Sequence, residues 1–123
     1  MLLFKPEHVP MILSGQKTVT RRFWKKRRAV PGSIHQACLA LSGPGRKPFA
    51  KLRILEVYQE RVGDISNADI QAEGYTGRNE YYDVLLDINK GRFPNEWDML
   101  HSLVWVVRFE VAEIPGGSVC KTS

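Results

Sequence analysis

Two helix signals placed back to back in the middle of the chain, with β-branched runs before and after them, constrain the fold more than any other feature. Ser66 stands where it can cap a helix whose third residue is Asp69, and Ile65 and Ile70 occupy the positions of a hydrophobic staple. Gly74 ends that helix after Glu73. A second helix follows Asn79, with Tyr81, Val84, Leu85 and Ile88 at the i, i+3, i+4, i+7 spacing of one buried stripe and Gly91 at its end. Outside this excursion the chain reads as strands. Extended segments are predicted over Lys17 to Phe23, Ile34 to Leu41 and Phe49 to Tyr58, where the alternation of Leu52 and Ile54 gives way to Leu55 and Val57 and predicts a bulge. In the last strand Trp105, Val107, Phe109 and Val111 alternate with Val106, Arg108 and Glu110 as a half-buried strand should. A short helix between Glu7 and Ser14, with Val9, Ile12 and Leu13 on one face and Gly15 as its stop, completes an α+β pattern.

A chain of 123 residues, 43% apolar and 25% charged, has room for one core. One domain over residues 1–114 is expected, followed by a polar tail, residues 115–123, predicted to be disordered. No apolar run approaches the roughly 20 residues of a membrane helix. Cys38 and Cys120 are too few for a disulfide framework, which points to reduced thiols in a cytoplasm. His8, His35 and His101 lack the spacing of zinc ligands, so neither a metal nor a cofactor is expected.

The net charge of +5, from 18 Lys and Arg against 13 Asp and Glu, suits a partner that carries phosphate. Its distribution is more telling. Arg21, Arg22, Lys25, Lys26, Arg27 and Arg28 form a basic block interrupted only by Phe23 and Trp24, while the acids gather mainly between Glu56 and Asp98. A basic run with aromatics inside it offers phosphate neutralisation and a flat surface on which a base can stack, a role open to Trp24 and to Tyr75. The alternative is a solvated loop whose aromatics face the core.

The segment Gly15-Gln16-Lys17-Thr18-Val19-Thr20-Arg21-Arg22 packs a hydroxyl and three cations behind a helix-stopping glycine. Its pattern, G-x-K-x-x-T-x-R after a short N-terminal helix, resembles the signature of the ASCH domain family, a branch of the PUA-like β-barrels. The resemblance runs from Phe4-Lys5-Pro6-Glu7-His8-Val9 to the strand Val104 to Glu110. It implies a small PUA-like barrel with helices packed against it, and a domain that handles nucleic acid or nucleotides. In amidohydrolases of that family a lysine, a threonine and a glutamate hydrolyse the acyl amide of N4-acetylcytidine. The resemblance carries those roles onto Lys17, Thr20 and, by aligning Glu73-Gly74-Tyr75-Thr76 after the capped helix, Glu73; Glu80 is the nearest rival for the glutamate.

A threonine hydroxyl is a poor nucleophile until a base removes its proton, and a lysine serves as that base only when burial or neighbouring cations such as Arg21 and Arg22 lower its pKa. Glu73 would orient the lysine, bind the substrate's amino group or pass a proton to the leaving amine. In a fully extended chain the Cα atoms of Lys17 and Thr20 would lie roughly 10 Å apart on opposite faces, so the pair requires a turn just after Gly15. Two classes of function follow. One is a module that binds RNA, a nucleoside or a nucleotide through Lys17, Arg21, Arg22, Trp24, Lys25, Lys26, Arg27, Arg28 and Tyr75; the other is a small hydrolase using Lys17, Thr20 and Glu73. A protein-interaction module with its basic face against an acidic partner is a third.

Overall fold

The computed structural model describes residues 1–115; the expected tail from residue 116, with Cys120, lies outside the described residues. Five strands form one curled sheet: β1 (Leu2–Leu3), β2 (Val19–Arg22), β3 (Ile34–Cys38), β4 (Ala50–Arg61) and β5 (Leu103–Glu113). Their spatial order is β1-β3-β4-β5-β2, with β1 parallel to β3 and every other pair antiparallel. The predicted bulge is present. The β4–β5 register shifts between Ile54 and Glu56, which turns the alternation at Leu55, and a second shift follows Lys51.

Four helices accompany the sheet: α1 (Val9–Leu13), α2 (Asn67–Ala72), α3 (Arg78–Ile88) and α4 (Glu96–Leu100). The N-terminal helix is shorter than the span Glu7 to Ser14, because Pro10 belongs in the first turn of a helix and Pro6 opens a separate 3-10 turn over Pro6–His8. The strand predicted over Ile34 to Leu41 stops at Cys38, where the main-chain amides of Leu39 and Ala40 turn to the Gly45 carbonyl. The strand that begins near Phe49 runs on to Arg61, beyond Tyr58. Ser66 caps α2 by accepting from the Asp69 amide at 3.1 Å, and Gly74 follows it with φ of 102°. Sequence reading missed α4, although Asn95 caps it through the Asp98 amide with the same three-residue spacing.

Two apolar clusters flank the sheet. Leu2, Phe4, Ile12, Leu52, Ile54, Val107 and Phe109 form the first. Val62, Ile65, Ile70, Tyr81, Tyr82, Leu85, Met99 and Val104 form the second, in which residues of α2, α3 and α4 pack against β5. The last strand is therefore not half-buried throughout. Val104 and Val106 are as buried as Val107 and Phe109, because the helical layer covers the second face of the strand before Glu110 emerges into solvent. The predicted stripe on α3 also needs correction. Tyr81 and Leu85 are buried, Val84 is half-buried and Ile88 is exposed, because part of this face borders an open pocket.

β1 and β2 are the two edges of the sheet, and a single side chain bridges them. The Arg22 Nη2 donates to the Leu3 carbonyl at 2.7 Å, and the guanidinium lies over the Phe4 ring at 4.9 Å. That contact draws the half-barrel toward closure. No helix among the described residues is long and apolar enough to cross a membrane.

Candidate functional site

The turn that the motif requires is built by Gly15, which adopts φ of 84° and lets the Lys17 amide reach back to the Met11 carbonyl at 2.9 Å. Lys17 thereby enters the molecule and not the solvent. It is 2% exposed, and its Nζ donates to the Val19 carbonyl at 3.1 Å, the Glu73 carbonyl at 2.6 Å and Glu73 Oε1 at 3.1 Å. Burial lowers the Lys17 pKa most strongly, Glu73 opposes that shift, and Arg22 and Arg21 add to it.

Glu73 sits at the C-terminal cap of α2, where a carboxylate meets the unfavourable end of the helix dipole. The cost is offset by its two partners. Its Oε1 faces Lys17, and its Oε2 accepts from Arg21 Nη1 at 3.1 Å. Arg21 also donates through Nη2 to Glu60 and to Asp69, each at 2.8 Å. Asp69 in turn receives a bidentate pair from Arg108 at 3.0 and 2.8 Å, and Arg108 donates further to the Tyr58 hydroxyl at 2.7 Å. Burial raises the Asp69 pKa, but the hydrogen bonds from Arg108 and Arg21 outweigh it and hold the carboxyl below its usual range. The chain Lys17–Glu73–Arg21–Asp69–Arg108 ties β2 and β5 to α2 in alternating charge.

Thr20 is 4% exposed, and its Oγ1 accepts from Arg22 Nε at 3.0 Å. With the oxygen so engaged, the hydroxyl proton is the one left to donate. Lys17, Thr20, Arg21, Arg22, Glu73 and Tyr75 all line one concave pocket of about 360 Å³. Val84, Leu85 and Ile88 of α3, with Phe4 and Phe23, form its apolar walls. This size lies near the lower end of the roughly 300 to 1,000 Å³ of small-molecule sites.

The remaining sequence candidates lie elsewhere. Glu80 is exposed and accepts from the Thr76 amide and hydroxyl, so of the two rival glutamates it is Glu73 that borders the pocket. Trp24 packs against the cluster of Leu2, Phe4 and Phe109, and Lys25, Lys26, Arg27 and Arg28 form an exposed run that follows it in the chain.

Sequence reading missed several members of the site. His8 lines the pocket edge-on to Tyr75, with ring centroids 5.5 Å apart, and burial with the Lys17 charge lowers its pKa to about 4. The Tyr75 pKa is pushed up to about 12 by burial and by Glu73. Tyr81 lines the pocket from α3. Asp69 carried a signal as the third residue of a capped helix; Glu60 and Arg108, which meet Arg21 or Asp69 only through strand pairing, carried none. Among the described residues no group of three His, Cys, Asp or Glu is placed to hold a metal ion.

Solved structures share this arrangement of strands and helices. A protein of Enterococcus faecalis assigned to the family DUF984 superposes with a TM-score of 0.66 at 19% identity, over 88% of this chain and 71% of its own. An ASCH domain from Lactobacillus crispatus gives 0.62 at 17% identity, over 85% and 70%. The ASCH protein of Zymomonas mobilis gives 0.57 at 16%, over 89% and 67%. This chain has an ASCH-type fold. No protein-family model matches the sequence, and no curated protein matches it either. Within this fold the motif follows α1 and enters an edge strand, and its Lys17 and Arg21 side chains meet Glu73 at the end of α2.

Proposed function

We propose that the protein is a small hydrolase that removes the acyl group from an N4-acylated cytidine. The observation that carries the reading is the meeting of Lys17, Thr20 and Glu73 in one nucleoside-sized pocket, although Lys17 and Glu73 are 56 positions apart in the chain. The Thr20 hydroxyl would add to the acyl carbonyl carbon, helped by the Arg22 Nε–H, which stabilises negative charge on that oxygen. Lys17 takes the hydroxyl proton. All three of its N–H positions face acceptors at rest, so it must first release one proton, and Glu73 at 3.1 Å is the nearest carboxylate. The C–N bond then breaks, Lys17 returns the proton to the departing N4 of cytidine, and the acyl group stays on Thr20 as an ester. Water hydrolyses that ester by the same proton route, which yields cytidine and the carboxylate.

A second reading is supported by the exposed run of Lys25, Lys26, Arg27 and Arg28 that follows pocket residue Phe23. In it the pocket binds one base of an RNA strand while the run holds phosphates, with no hydrolysis. One set of measurements separates the two. Cytidine and acetate release from N4-acetylcytidine should be lost in Thr20→Ala and Lys17→Ala and strongly reduced in Glu73→Ala, with each variant's thermal unfolding checked alongside. A wild type no faster than Thr20→Ala would sink the hydrolase reading. Single-stranded RNA affinity that falls with salt, by a slope reduced about 0.7 per charge removed in a Lys25→Glu, Lys26→Glu protein, would then favour the binding module.

A further inference from the structure

Four arginines of the described residues hold a guanidinium over an aromatic ring. Three of these guanidiniums are also engaged by hydrogen bonds: Arg22 donates to Thr20 and the Leu3 carbonyl, Arg78 to Tyr82 and Asn67, and Arg108 to Asp69 and Tyr58. Arg92 is the exception. Its Cζ stands 5.5 Å from the centroid of the Phe23 ring, the side chain is exposed, and among the described residues it has neither an ion pair nor a hydrogen bond. Phe23 is itself fixed, tilted against the Phe93 ring at 5.2 Å, and forms part of the pocket wall. The stack therefore holds an unpaired cation at the rim of the pocket. Deeper in, the charges are already matched, since Lys17 faces Glu73 and Arg21 faces Glu73, Glu60 and Asp69. Lys5 also borders the pocket, half-buried and with no carboxylate partner among the described residues. Phe23 follows Thr20 by three positions, roughly 10 Å along an extended chain.

We propose that Arg92 is the phosphate-binding residue of this pocket, with Lys5 adding positive charge at the mouth, so that the substrate is a phosphate ester of an N4-acylated cytidine and not the free nucleoside. The identity of the base rests on the hydrolase reading, whereas the phosphate rests on the rim cations. A nucleotide carries its exocyclic nitrogen and its phosphate at opposite ends. With the amide at Thr20, the separation along β2 leaves the phosphate on the Phe23 side, where Arg92 stands. A guanidinium held by a ring offers its fork of N–H donors to phosphate oxygens, and less side-chain freedom is lost when it binds. A nucleoside monophosphate and a phosphodiester of an RNA strand present the same oxygens.

The test compares kcat/KM for N4-acetylcytidine and for its 5′-monophosphate in the wild type, Arg92→Gln and Arg92→Lys. The wild type is expected to prefer the monophosphate roughly tenfold, by a margin that shrinks as salt is added. Arg92→Gln should lose most of that preference and Arg92→Lys should keep part of it. Equal kcat/KM for the two substrates in the wild type overturns the proposal, and so does a preference that Arg92→Gln retains in full. A short single-stranded RNA with one internal N4-acetylcytidine assigns the source of the phosphate: deacetylation faster than that of the monophosphate points to a strand, and slower to a free nucleotide. If the wild type deacetylates none of these, the hydrolase reading fails by itself, and calorimetric titration with cytidine and cytidine 5′-monophosphate decides on Arg92. Tighter binding of the monophosphate that weakens in Arg92→Gln upholds the phosphate site; equal binding of the two, or binding of neither, overturns it.

Discussion

His8 reports how far the pocket differs from water. Its pKa falls to about 4 because the ring is part-buried and the Lys17 charge lies close, so the folded protein prefers the neutral imidazole. An unfolded chain titrates near the ordinary value of about 6.5 and binds more protons than the folded one between that pH and pH 4, which makes stability fall as pH is lowered through this window. Urea midpoints measured at pH 7 and pH 4.5 should therefore differ in the wild type, and the difference should shrink in His8→Gln; an unchanged difference would mean that the lost stability belongs to other groups. At this scale the sequence was legible where chemistry is written into spacing. Lys17, Thr20 and Arg22 stand within six positions, and a helix-stopping glycine tells the reader that they enter a turn. What stayed hidden was burial. Arg21 and Lys17 have the composition of surface cations, and only the approach of Glu60, Asp69 and Glu73 from β4 and α2 makes them interior residues. His8 and Tyr81 gave no signal because their place in the pocket lining depends on how their elements pack.

At the scale of elements, the end of α2 governs the site. Gly74 adopts φ of 102°, and a Cβ built there would stand 2.8 Å from Met11 Sδ and 3.6 Å from the His8 ring. Gly74→Ala would be strained in its backbone and crowded against α1, at a cost of about 1 to 3 kcal/mol. Because Glu73 is the preceding residue, relief of that strain should shift its carboxylate from Lys17, so on the proposed hydrolase reading cytidine release should fall along with the melting temperature. A variant that melts early yet turns over normally once folded would show that the helix end is tolerant. The caps and staple that announce α2 are local interactions, which is why residues 65–74 could be read from the sequence alone. The Leu55 bulge was likewise written in the alternation. The stripe on α3 misled for the opposite reason, since an amphipathic pattern marks an apolar face without saying whether protein or a ligand covers it. In the last strand Val106 was assigned to the solvent face although it is fully buried, because what covers a strand's second face comes from distant sequence.

At the scale of the whole molecule, the link between the sheet edges and the placement of the Thr20 hydroxyl depend on the same guanidinium. β1 is a two-residue edge strand held by a parallel pairing to β3, a weak attachment on its own. Arg22 adds a bond from the opposite edge to the Leu3 carbonyl, and its Nε holds Thr20 at the same time. Sequence could not reveal this, because pairing order and curvature arise from long-range contacts, and the arginine read as a phosphate ligand. Arg22→Met separates the functions of the side chain: an apolar stem of similar reach stays over Phe4, while both hydrogen bonds are lost. A buried acceptor left unpaired costs about 1 to 3 kcal/mol, so the melting temperature should drop by several degrees. The loss should also be uneven. Hydrogen exchange should quicken at the Phe4 amide, which bonds to the Cys38 carbonyl, and in the flanking β1 amides, whereas β4 and β5, paired over most of their length, should stay protected. On the proposed hydrolase reading turnover of N4-acetylcytidine should fall with it, since Thr20 loses the donor to its oxygen. Exchange at Phe4 that matches the wild type would mean that β1 holds to β3 without help from the far edge, and that Arg22 serves the pocket alone.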